Sequence, residues 1–184
     1  MRAAGGRIRL GLCLALLGCL WLAACLETDI RGYVMDLRSP NVLVRQEAVS
    51  ALALAADPMA VPHLVVLLDD PAAEVRRLTA KTLGALHDQR ATDALTGRLA
   101  REAEDRVRLA LIEALGKLRD TKAVPDLLRL LGEEGRPLLE QYTLIWALGS
   151  IGDPRAGESL SRLLDSPDKY AAYNATQALK RLRY

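Results

Sequence analysis

From residue 39 onward the chain repeats itself, and that repetition leaves few folds open to it. Leu52, Leu83, Leu115, Leu148 and Leu179 recur at steps of 31, 32, 33 and 31 residues, each inside a short motif: Ala51-Leu52, Thr82-Leu83-Gly84, Ala114-Leu115-Gly116, Ala147-Leu148-Gly149, Ala178-Leu179. A period of that length belongs to helical repeats that stack on one another. Other columns keep the same step. An aspartate follows five residues later (Asp57, Asp88, Asp120, Asp153), then an alanine (Ala60, Ala91, Ala123, Ala156). Leucines follow at Leu64, Leu95, Leu127 and Leu160, and again at Leu68, Leu99, Leu131 and Leu164.

Each unit reads as two helices. Val75, Thr79, Leu83 and Leu86, and likewise Val107, Leu111, Leu115 and Leu118, fall on one face of a 3.6-residue helix. Ser39-Pro40, Asp70-Pro71 and Ser166-Pro167 are read as helix starts: a side-chain oxygen caps free amides, and proline suits the first turn. Gly84, Gly116 and Gly149 serve either close helix approach or a C-cap. Leu127, Leu130 and Leu131 mark a second helix, and Pro62 and Pro125 must lie in the first turn of theirs. The expected units are residues 39–69, 70–101, 102–134 and 135–165. A capping helix over 28–38 (Ile30, Tyr33, Val34, Leu37) precedes them and a half repeat over 166–184 follows.

These residues resemble the HEAT repeat family, in particular the short HEAT-like repeats of phycobilisome lyases. Val75-Arg76, Ala80, Leu83-Gly84, Asp88, Ala91 and Leu95 carry the likeness in one unit. Val107-Arg108, Leu115-Gly116, Asp120, Ala123, Pro125 and Leu127 carry it in the next. The resemblance covers about residues 39–184 and implies an all-α solenoid of stacked helical hairpins. The fourth unit departs from it: Glu140-Gln141 stands where Val-Arg is expected, after a glycine-rich loop at 132–137. The family is a scaffold with many uses, so the fold implies no reaction. Some relatives attach bilin chromophores, which makes a lyase or cofactor-loading protein the alternative function.

The N-terminus carries a different signal. Arg2, Arg7 and Arg9 precede an apolar run from Leu10 to Ala24, and Leu22-Ala23-Ala24-Cys25 resembles a bacterial lipobox. The expectation is a lipoprotein signal peptide over 1–24 and a lipidated tether over 25–28 that begins at Cys25. Leu26 follows the cysteine, which resembles sorting to an outer membrane, facing the periplasm. The leader holds three of the 25 basic residues and none of the 23 acids, so the mature part is close to neutral. That balance, with export, argues against nucleic acid as a partner. Cys13 and Cys19 leave with the leader, so the mature chain forms no internal disulfide.

Little in the mature chain suggests catalysis. The aspartate column Asp57, Asp88, Asp120 and Asp153 is expected to accept amides at the inter-helix turn. Arg45, Arg76 and Arg108 are expected to pair with carboxylates or to face solvent. His63 and His87 occupy different columns with no second ligand nearby, so no metal site is expected, and no cofactor. Ser159 and Ser161 lack a base partner, and no enzyme activity is expected. The strongest binding signal is a break in a column. Ser50, Lys81, Glu113 and Gln177 occupy a position that should face solvent, and the fourth unit puts Trp146 there. Tyr142 lies one turn earlier, and Leu109 and Tyr173 come from the flanking units. These four are expected to form an exposed apolar stripe that binds an envelope protein. Val65, Val66 and Leu128 on the second helices offer another surface.

Overall fold

The computed structural model describes residues 31–182, and every regular element among them is helical. Residues 31–36 form a helical segment whose Tyr33 and Val34 pack on the core beside buried Leu37. Long first helices follow: α1 (Val42–Ala55), α3 (Ala73–Leu86), α5 (Asp105–Leu118), α7 (Leu138–Ile151) and α9 (Lys169–Leu182). Between them run the short second helices: α2 (Val61–Val66), α4 (Thr92–Leu99), α6 (Val124–Leu131) and α8 (Gly157–Arg162). The long helices pack in sequence, α1 on α3, α3 on α5, α5 on α7 and α7 on α9, and each short helix packs on the long helix that follows it. The result is a two-layer all-α solenoid. Among the described residues no helix is long and apolar enough to cross a membrane.

The core follows the leucine columns. Leu52, Leu83, Leu115 and Leu148 of the long helices are fully buried, as are Leu64, Leu95, Leu127 and Leu160 of the short ones. The later leucine column weakens toward the C-terminus: Leu68 and Leu99 are buried, Leu131 is half-buried and Leu164 is exposed. The second helices are shorter than the leucine pattern implies. A 3-10 turn introduces each one, and Leu67–Asp69 and Leu163–Asp165 are themselves 3-10 turns.

The aspartate column takes the expected role. Asp57, Asp88, Asp120 and Asp153 each accept from the amide two residues on, at 2.8, 2.9, 3.0 and 2.9 Å. Arg90 and Arg155 pair with the aspartate of their own turn and reach back to the preceding unit, where they donate to the carbonyls of Pro58 and Thr121. The turn is thereby stitched across units.

The helix starts are a correction. The long helices begin at Val42, Ala73 and Lys169, two or three residues beyond the Ser-Pro and Asp-Pro pairs. Ser39 Oγ, Asp70 Oδ1 and Ser166 Oγ accept from the amides of Asn41, Ala72 and Asp168, so each oxygen closes a turn that precedes the helix. Asn41 is the residue that caps α1, and it accepts from the amide of Leu43.

The structure also decides between the two uses of glycine. The left-handed residues that end the long helices are Ala56, His87, Arg119 and Gly152, with φ of 51°, 53°, 52° and 78°. Gly84, Gly116 and Gly149 lie inside the helices, against the alanine of the next long helix. A Cβ at Gly84 would stand 2.8 Å from Ala114 Cα; at Gly149 it would stand 2.7 Å from Ala178 Cα. Missing side chains therefore set the helix spacing.

A ladder of buried ion pairs runs beside this contact. Arg45 pairs with Asp70 at 2.6 Å, Arg76 with Glu102 at 2.8 Å and Arg108 with Glu140 at 2.6 Å. Each guanidinium also donates to the carbonyl six residues before it: Ser39, Asp70 and Glu102. The fourth unit rebuilds the rung. Gly135 occupies the column of Asp70 and Glu102, so the carboxylate comes from Glu140, at the position held by Val44, Val75 and Val107 in the preceding units. Arg136 replaces the missing arginine, and it donates to Glu140 and to the carbonyl of Leu130.

Two stability predictions follow from this packing. Gly149→Ala should destabilise by about 1–3 kcal/mol, because backbone must move to admit the methyl. Gly97→Ala, in α4 with nothing within 4 Å, should stabilise by about 0.5–1 kcal/mol. Urea unfolding of both variants measures the opposite signs. The second prediction concerns Glu102, whose side chain is 1% exposed. Burial pushes its carboxyl up, but hydrogen bonds from Arg76, the Glu104 amide and Arg98 outweigh burial and hold it at about 2. An unfolded glutamate titrates near its ordinary 4.5. The contribution is therefore complete above that value and is lost as pH falls from 4.5 toward 2. Glu102→Gln should cost about 3 kcal/mol at neutral pH and flatten the stability profile across that window.

Candidate docking surface

α7 presents Trp146 on the outer side of the long-helix layer. The indole lies over Gly116 of α5, where a Cβ would meet its Cζ3 at 2.7 Å. The absent side chain at 116 is thus the seat of the ring. Trp146 remains 38% exposed. It is both seated in the helix layer and open to solvent.

Trp146 stands between two depressions. On one side an open hollow of about 340 Å3 is lined by Glu113, Lys117, Tyr142, Thr143, Trp146 and Asn174, from α5, α7 and α9. On the other, a second open hollow is formed by Arg119, Trp146, Arg181 and the C-terminal turn of α7.

Tyr142 has a second job. Its hydroxyl donates to Asp168 Oδ2 at 2.5 Å, and its ring lies 6.4 Å from that of Tyr170. That bond holds the Asp168 carboxyl below the usual carboxylate range and raises the Tyr142 phenol. Asp168 also accepts from the amides of Tyr170 and Ala171, at the start of α9. Tyr142 therefore ties α7 to the last helix while its ring lines the hollow.

The four predicted stripe residues do not line one hollow. Tyr142 and Trp146 share a hollow. Leu109 is half-buried in the neighbouring one, among Glu74, Arg77, Lys81 and Arg106. Tyr173 is 62% exposed but lines neither hollow beside Trp146. The helical register that puts Leu109 and Tyr173 in one column with Tyr142 fixes their direction. It does not fix what the neighbouring helix places beside them. On the other layer Val66 is exposed, while Val65 and Leu128 pack partly on the core.

Sequence reasoning passed over the cations that flank the indole. Lys117, Arg119 and Arg181 lie 27 or more residues from Trp146 in the chain, so no local pattern joins them to it. The paired arginines hold other places: Arg45, Arg76 and Arg108 are engaged in the buried ladder. His87 ends α3, and its Nδ1 lies 3.0 Å from the Lys117 carbonyl; His63 lines a hollow near the N-terminal helix. Ser161 donates to the Gly157 carbonyl. Cys25 and the leader lie outside the described residues.

Known proteins bear on the fold more than on the surface. The complex of CpcE and CpcF of phycocyanin lyase from Nostoc sp. PCC7120 superposes with a TM-score of 0.71 at 26% identity, over 82% of this chain and 63% of that one. A designed armadillo repeat protein superposes at 0.57 and 20% identity, over 82% and 80%. Epoxyqueuosine reductase of Bacillus subtilis is 39% identical over 54 residues, 29% of this chain and only 14% of the reductase. The chain thus spans less than two thirds of the lyase chain and a small part of the reductase. The profile of HEAT repeats matches residues 35–116 and again 98–180, and the chain belongs to the HEAT repeat family.

Proposed function

We propose that this protein is a non-catalytic scaffold, held at a bacterial envelope membrane by lipid on Cys25, that binds an envelope protein through the surface around Trp146. The observation that carries the binding role is the tryptophan itself. It replaces Ser50, Lys81, Glu113 and Gln177 in a solvent-facing column, it is seated over Gly116, and it borders two open hollows. A rigid, half-buried aromatic beside concave surface is the usual anchor of a protein interface. The tether rests on the sequence: a basic leader, an apolar run and Leu22-Ala23-Ala24-Cys25. Two or three acyl chains on one residue give stable anchoring, where a single chain does not. An outer-membrane position facing the periplasm follows from Leu26 after the cysteine.

A second reading has a specific observation behind it, the likeness to the phycocyanin lyase complex. Under it the chain would load a chromophore or cofactor onto another protein. The described residues favour the scaffold: the aspartates cap turns and the buried acids are engaged by arginines.

Four measurements test these readings. Labelling with a palmitate analogue should mark the wild-type chain and not Cys25→Ala, which should leave the membrane fraction; an unlabelled wild type removes the tether. A photocrosslinker at position 146 in intact cells should give one discrete envelope adduct. Trp146→Ala, alone and with Tyr142→Ala, should weaken capture by at least about 2 kcal/mol with helical content unchanged. Undiminished capture rejects this surface. Visible absorption acquired from a bilin, followed by its transfer to a second protein, would replace the scaffold with the lyase reading.

A further inference from the structure

We infer that the Trp146 surface selects an acidic peptide segment carrying a bulky apolar residue. This rests on the scaffold reading and names the chemistry of its partner. The argument is charge complementarity around a seated indole. Lys117 lines the hollow on one side of Trp146, and Arg119 and Arg181 line the hollow on the other. Most arginines among the described residues are paired with carboxylates. Arg45, Arg76, Arg98, Arg108 and Arg136 sit in carboxylate pairs, and Arg90 and Arg155 are held by the aspartates of their own turns. Lys117, Arg119 and Arg181 pair with no carboxylate among the described residues. Arg181 has one neutral contact, Ser150 Oγ at 3.2 Å. Glu113 is the one acid lining either hollow.

The arrangement is therefore bipartite. The exposed edge of Trp146 and the ring of Tyr142 offer an apolar seat with Thr143 and Asn174 at its rim. Cations lie beyond the indole on both sides. A peptide crossing Trp146 would place an aliphatic or aromatic side chain on that seat and its carboxylates against Lys117, Arg119 and Arg181. Open hollows between parallel helices suit an extended segment better than an enclosed small molecule. Because the three cations pair with no carboxylate among the described residues, their attraction for the ligand is opposed only by Glu113 in the lining of the hollows, and it falls with salt.

The test uses the lipidated chain from Cys25 onward in phosphatidylcholine nanodiscs; Trp21 leaves with the leader, so Trp146 is its only indole. The probes are a short peptide of alternating Asp, Glu and Leu, its analogue with Asn and Gln in place of the acids, and phosphatidylglycerol vesicles. The acidic peptide should shift Trp146 emission and bind about tenfold tighter than the neutral analogue, an advantage that high salt removes. Lys117→Gln with Arg119→Gln and Arg181→Gln should abolish the difference and keep the helical circular dichroism. Should that variant lose its fold, Arg181→Gln alone should still narrow the difference. Equal binding of both peptides overturns the inference and leaves an apolar partner for the scaffold. Binding of vesicles but of neither peptide overturns it in favour of a membrane surface. No binding of any probe also overturns it, and the crosslink at position 146 then decides the scaffold reading separately.

Discussion

The close approach of one long helix to the next, at a glycine facing an alanine, is the contact on which the rest depends. Gly84 meets Ala114, Gly116 meets Ala147 and Gly149 meets Ala178, and no Cβ fits at any of the three glycines without displacing backbone. Backbones that close give dense dispersion contact along the whole layer. The leucines behind them can then interlock without voids, and the fully buried Leu83, Leu115 and Leu148 are the outcome. The first interface lacks the motif: Ala53 stands in the glycine column and faces a helix carrying Thr82. The stack is therefore not uniform, and its tightest contacts lie in the C-terminal two thirds.

The same contact makes the candidate binding surface. Trp146 can lie over α5 only because position 116 has no side chain. A glycine that serves packing in one direction serves as an aromatic seat in another. Tyr142 is likewise shared between structure and surface, since its hydroxyl holds Asp168 at the head of α9 while its ring lines the hollow. The surface is rigid for this reason, and a rigid anchor loses little conformational freedom on binding.

Electrostatics divide the molecule into two populations of charge. Inside, each ladder guanidinium is shared between a carboxylate and a carbonyl six residues upstream, so burial is compensated by several hydrogen bonds at once. Outside, next to Trp146, the cations pair with no carboxylate among the described residues. Among the described residues, Thr79 and Thr92 are the buried side chains whose hydroxyls find no hydrogen-bond partner.

Much of this was legible in the chain itself, because a repeat states the same requirement several times. The leucine columns, the capping aspartates and the helical pairs follow from periodicity and local hydrogen bonding, which need no tertiary information. The anomaly at Trp146 was legible for the same reason, as a break in a regular column. What the sequence left open was set by neighbours from other units. Whether Gly84, Gly116 and Gly149 cap or pack depends on what stands across from them, and that is an alanine some 30 residues away. The partner of Arg108 changes from the loop column to Glu140 because Gly135 has no carboxylate to give. Leu109 and Tyr142 share a column but not a hollow, since each hollow is built by two or three helices. Local pattern thus determined which elements form and which way they face. Only the packing of one unit on the next decided the distances between them, and with those distances the seat of the indole and the company it keeps.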